Sequence, residues 1–146
     1  MIEKRLTERL SRYWSQIRAD KSLPDIRHLN PERIYDLWPN CMTLEVVNMH
    51  ARSLAYTYQY VGDGMRKVYG KDLTGEMSMS KLRDQPGWQL LRKVDDVTAQ
   101  PRIETEEGQF INANNRIVKY RACLLPFGTG DKVSHVVVGM SYKEFA

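Results

Sequence analysis

The sequence predicts an α+β fold, a mainly antiparallel sheet with helices packed on one face, and three observations predict it. Apolar residues recur at helical spacing over residues 2–21. Two stretches after residue 40 alternate apolar and polar side chains at a period of two. A helical interlude follows, and beyond Pro101 the chain returns to that alternation up to its last residues. Strands joined by short turns and interrupted once by helices fit an antiparallel layer covered on one side.

In the first stretch Ile2, Leu6, Leu10, Tyr13, Trp14 and Ile17 form a stripe, with Lys4, Arg5, Glu8, Arg9, Arg12 and Arg18 around it. This is an amphipathic helix, broken by Pro24. Asn30-Pro31-Glu32 has the capping side chain, first-turn proline and acid of a helix start, and that short helix must stop by Trp38 because Pro39 follows. The alternation of Met42, Leu44 and Val46 predicts a strand over 41–49. That of Leu54, Tyr56, Tyr58 and Tyr60 predicts another over 53–61, joined to the first by a turn at 48–52.

Gly62-Asp63-Gly64 ends the second strand, and Asp63 is placed to cap a short helix carrying Met65, Val68 and Tyr69 and closed by Gly70. Pro86 opens a longer helix on which Trp88, Leu91, Val94 and Val97 share a face. Residues 102–112 read as an edge strand guarded by Glu104, Glu106 and Glu107. Two stronger strands follow, one carrying Val118, Tyr120, Ala122 and Leu124, the other Val136, Val138, Met140 and Tyr142.

With 146 residues the chain fits one core, divided into a helical extension over 1–40 and a sheet domain over 41–146. Basic residues exceed acidic ones by 22 to 18, a formal charge of +4, but they are interleaved, as with Glu3, Glu8 and Asp20 among the arginines of the first helix. Interleaving argues against nucleic acid as partner despite an isoelectric point near 9.1. No apolar run approaches the roughly 18 residues of a membrane span, and the first residues lack a signal-peptide core, so the expected location is the cytoplasm. Cys41 and Cys123 are expected to be reduced, buried filler.

Tyr56-Thr57-Tyr58-Gln59-Tyr60-Val61-Gly62, followed by Tyr69-Gly70-Lys71-Asp72-Leu73-Thr74-Gly75, resembles the paired signatures of the PAS_5 family of bacterial PAS domains. Leu124-Leu125-Pro126 and His135-Val136-Val137-Val138-Gly139 resemble that family's last two strands, and Tyr13-Trp14 with Leu23-Pro24 its helical lead-in. Lys71 stands where the family often has Arg, and Tyr60 where an aliphatic residue is usual. The resemblance implies a five-stranded antiparallel sheet cupping a small cavity under the inserted helices. It also implies a stand-alone sensory or regulatory module of signal transduction, acting by sensing a small ligand, by protein association, or by both. Fold analogy alone names neither ligand nor partner.

Strand phase turns Tyr56, Tyr58 and Tyr60 inward, where each phenol needs a hydrogen-bond partner. With Met65, Tyr69, Trp88, Leu91, Val94, Tyr120 and Met140 they wall either a ligand cavity or an aromatic core. His135 and Cys123 fall on the opposite phase, His28 and His50 in loops, and no Cys/His pair has metal spacing. The expected site therefore has no metal, haem or flavin, and at most an unidentified small hydrophobic ligand. The stripe Leu6, Leu10, Tyr13, Trp14 and Ile17 is left with two compatible uses: packing on the outer face of its own sheet, and forming with that face a surface for a second copy or a partner protein.

No catalytic residue is evident. Neighbouring Asp95 and Asp96 cannot both face a cavity, and neither a nucleophile elbow nor a phosphate loop occurs. The rival reading, a cone-shaped α+β enzyme of the ketosteroid-isomerase type acting on a hydrophobic substrate, needs an inward acid or histidine as base. The inward strand positions read as Tyr, Val, Leu, Met and Ala.

Overall fold

Alternating apolar residues give five long strands: β1 (Cys41–Asn48), β2 (Leu54–Val61), β4 (Glu104–Ile111), β5 (Ile117–Thr129) and β6 (Lys132–Phe145). They are seen in a computed structural model that describes residues 2–48 and 54–146, so the turn predicted between the first two strands, with His50, lies outside the described residues. A two-residue β3 (Met77–Ser78), not foreseen from the sequence, adds a sixth strand. The order among the described residues is β3-β2-β1-β6-β5-β4, and every pairing is antiparallel. β4 is the edge strand its glutamates suggested.

Register sorts the side chains onto two faces. Tyr58, Leu44, Val136 and Pro126 lie in one row across β2, β1, β6 and β5, and Met42, Val138 and Leu124 in a neighbouring one; both belong to the inner face. Cys41, Gly139 and Cys123 lie in a row on the outer face. There α1 (Ile2–Arg18) packs, with Leu6, Leu10, Tyr13 and Trp14 all buried. Gly139 makes the seat: a Cβ there would stand 2.2 Å from Leu10 Cδ1. Trp14 Nε1 donates to the Pro126 carbonyl at 2.7 Å, fixing the rotation of the helix over β5. Ala19, at φ 54°, turns the chain out of the helix.

Three short 3₁₀ turns, Ile26–His28, Pro31–Ile34 and Trp38–Asn40, replace the helix expected from Asn30. Asn30 does cap, accepting from Glu32 N at 3.1 Å, but the span between Pro31 and Pro39 is too short to recover the cost of nucleating an α-helix.

The inner face is covered by α2 (Asp63–Tyr69) and α3 (Trp88–Ala99). Gly62, not Asp63, is the extended residue ahead of α2, and Asp63 sits in the first turn, bound to Arg66 at 3.0 Å. A Cβ on Gly62 would fall 2.3 Å from the Pro39 carbonyl, so only glycine lets β2 pass that close. α3 starts two residues after Pro86 because Gly87 takes a left-handed conformation, φ 78°, immediately before it. Leu90 joins Leu91, Val94 and Val97 as its buried face. The buried Asn112 then ties α2 to the β4–β5 hairpin: its Nδ2 donates to the Val68 carbonyl at 3.0 Å, and its Oδ1 accepts from Asn114 N and Arg116 N.

Candidate functional site

The site begins with a turn. Asp72 Oδ1 accepts from Thr74 N at 2.9 Å and from Thr74 Oγ1 at 2.6 Å, an Asx turn that closes on Gly75 at φ 85°. Gly75 N then donates to the Tyr58 carbonyl at 2.8 Å, and Tyr58 N to the Glu76 carbonyl at 2.9 Å. Asp72-Leu73-Thr74-Gly75 thus hands the loop after α2 to the backbone of Tyr58, leading into the short β3.

A pocket of about 220 Å³ opens beside this junction, lined by Tyr58, Tyr69, Lys71, Leu73, Glu76, Met77, Ser78, Leu82, Gln85 and Pro86. Tyr58 comes from β2, Tyr69 from the last turn of α2, Met77 and Ser78 from β3, and the other residues from the loops on either side of β3. Leu73, Met77, Leu82 and Pro86 supply apolar walls.

Most polar groups here already have partners. Gln85 Nε2 donates to the Met79 carbonyl at 2.8 Å, while its Oε1 accepts from Ser78 Oγ. Lys71 Nζ stands 3.6 Å from Glu76 Oε1 at the exposed rim. The phenols differ. Tyr58 is 3% exposed and Tyr69 2%, yet among the described residues neither hydroxyl has a hydrogen-bond partner. Burial pushes both phenols well above the ordinary tyrosine value, with Glu76 adding to the effect on Tyr58, and Tyr58 and Tyr120 to that on Tyr69. Both stay protonated, and each retains an O–H to donate.

The remaining expected cavity residues lie elsewhere. Tyr56 faces inward, but its hydroxyl donates to Asp95 of α3, which also accepts from Ser80 Oγ at 2.5 Å. Met65, Leu91, Val94 and Met140 are buried in the core. Trp88 is half-buried between two guanidinium groups, with Arg83 Cζ 5.2 Å and Arg92 Cζ 5.7 Å from its ring. Tyr120 closes over Gly108, its hydroxyl buried without a partner, and burial raises its pKa to about 12.

Tyr60 corrects the expectation outright. The register slips between Thr43 and Leu44, so Gln59 becomes a bulge residue and Tyr60 turns to the outer face. There it stacks on Trp38, ring centroids 4.5 Å apart, and donates to the Trp38 carbonyl at 3.0 Å. The list of inward residues is corrected too: Glu104 and Glu106 share the inner face with Leu124 and Ala122. Neither lines the pocket. Glu104 pairs with Lys93 at 3.4 Å and with Arg102, and burial raises the pKa of Glu106.

The loop wall of the pocket, Lys71 to Pro86, was missed in the sequence because it has no period. Its only signal was the Asp72–Gly75 turn with isolated Leu73, Met77 and Leu82 around it. The helix stripe resolves toward its own sheet: Leu6, Leu10, Tyr13 and Trp14 are consumed there, and Ile17 is half-buried beside them. His135 and both cysteines lie on the outer face. Burial pushes the Cys123 thiol up to about 11 and Cys41 higher still. Among the described residues no group of three or more His, Cys, Asp or Glu is placed to hold a metal ion.

A model of the PAS_5 family, described as a PAS domain, matches residues 2–141. No curated protein sequence matches the chain. Among solved structures, the crystal structure of the PAS domain of an HTR-like protein from Haloarcula marismortui is similar, with a TM-score of 0.45 and 13% identity over 97% of each chain. On a sequence match running from α1 into β6, the chain belongs to the PAS_5 family of PAS domains.

Proposed function

We propose that this PAS domain is a sensory and regulatory module of signal transduction, which couples occupancy of the Tyr58–Tyr69 pocket to association with another protein. The observation that carries the reading is that two buried tyrosines, Tyr58 and Tyr69, line that pocket with hydroxyls that have no hydrogen-bond partner among the described residues. Two such hydroxyls beside one opening favour a guest that offers them partners in place of water. The reading needs neither haem nor flavin, and is supported in this by His135 and Cys123 lying on the face away from the pocket.

Association is the second half. With the apolar stripe of α1 committed to its own sheet, a second copy or a partner protein would meet the outer surface of that helix and the uncovered part of the outer face. Among the described residues no helix is long and apolar enough to cross a membrane. A cytoplasmic setting fits this reading.

Native mass spectrometry of the protein purified from its own host, set against its denatured mass, tests both halves. Extra mass on the native species is expected from a retained ligand, and a multiple of the chain mass from self-association. An empty monomer contradicts both.

A further inference from the structure

Resting on that reading of the pocket, the geometry points to a class of ligand: we propose that the site takes a small, uncharged molecule with an apolar body and a carbonyl oxygen held between the hydroxyls of Tyr58 and Tyr69. Two O–H groups that stay protonated need acceptors, and a carbonyl oxygen offers two lone pairs. A molecule that only donates could bond to the phenol oxygens but would leave both O–H donors without an acceptor.

Charge decides the rest. The cation lining the pocket, Lys71, stands 3.6 Å from Glu76 at the rim, so the mouth is balanced. An anion would give up its hydration against two neutral phenols, and a buried carboxylate without a counter-charge is strongly disfavoured. Leu73, Met77, Leu82 and Pro86 match an apolar body instead. The volume of 220 Å³ equals the liquid share of about seven waters, which sets the ligand at on the order of ten non-hydrogen atoms.

Three probes of nearly one shape separate the possibilities: acetophenone, ethylbenzene and benzoate, each titrated into the intact chain by calorimetry. Acetophenone is expected to bind at least three-fold more tightly than either of the others. Tyr58→Phe and Tyr69→Phe should each weaken acetophenone about 3- to 10-fold, the worth of one neutral hydrogen bond, and leave ethylbenzene unchanged. Both variants should unfold at or above the wild-type temperature, since the hydroxyl removed has no partner to lose.

Equal binding of ethylbenzene, tighter binding of benzoate, or no binding of any probe to folded protein overturns the proposal. Should the native mass carry a ligand while acetophenone fails, the sensory reading stands and the carbonyl class falls. An empty native mass together with three silent titrations removes both.

Discussion

Tyr58 and Tyr60 lie two positions apart and carry the same side chain, yet one lines a pocket and the other stacks on Trp38 across the sheet. A single bulge residue, Gln59, separates their fates. Nothing in the alternation of tyrosines announces a bulge, because side-chain type continues while backbone phase shifts. Asn112 is a second residue whose work is local. Its amide joins Val68, Asn114 and Arg116, so Asn112→Ala leaves three backbone groups without that partner and should destabilise by about 1–3 kcal/mol, read as a lower denaturant midpoint with unchanged slope. His135 sets a pH response. Burial holds its pKa below the ordinary 6.5, while Glu45, 4.0 Å away, and Asp25 pull it back up; Ser134 Oγ lies 2.8 Å from Nδ1. A histidine more acidic in the folded state contributes stability that is complete above about pH 6.5 and is lost as pH falls through the folded value. Thermal unfolding should therefore weaken from that pH downward, and His135→Gln should flatten this part of the profile.

Among the elements, α1 carries the clearest consequence. Its stripe was legible from spacing, but the choice between its own sheet and a second copy was not, since an amphipathic helix has the same pattern in either setting. In the structure the stripe lies on the chain's own sheet, where Gly139 lets Leu10 reach the strands. Trp14→Ala removes a buried indole and its bond to Pro126, and should cost about 3–5 kcal/mol in stability. Sedimentation at a temperature where the variant remains folded should give the wild-type oligomeric state; dissociation there would return the stripe to the role of an interface. β4 was recognised as an edge by its glutamates, and the structure adds that Glu104 and Glu106 lie on the inner face, where Glu104 pairs with Lys93 of α3 and with Arg102 ahead of β4. The loop from Lys71 to Pro86 marks the limit of such reading. It is held by an Asx turn and by backbone bonds to β2, contacts between residues far apart in the chain, and periodicity carries no information about those.

For the molecule as a whole, the sheet, its antiparallel sense, the helices on its inner face and the family were all legible, because each rests on a pattern repeated over many residues. The pocket was half legible: Tyr58 and Tyr69 by phase and motif, its loop wall not at all. Its position is also displaced from the centre of the cup, which Met65, Leu91, Val94 and Met140 fill as core, to the flank where β2 meets β3. In the function proposed, the hydroxyls of the buried tyrosines Tyr58 and Tyr69 on this flank hold a small molecule. The most direct test compares native mass spectra of the wild type and a Tyr58→Phe/Tyr69→Phe double variant, each purified from the protein's own host. A small added mass is expected on the wild type, reduced or absent on the folded double variant. The same added mass on both proteins, or none on the wild type, would contradict the proposed function.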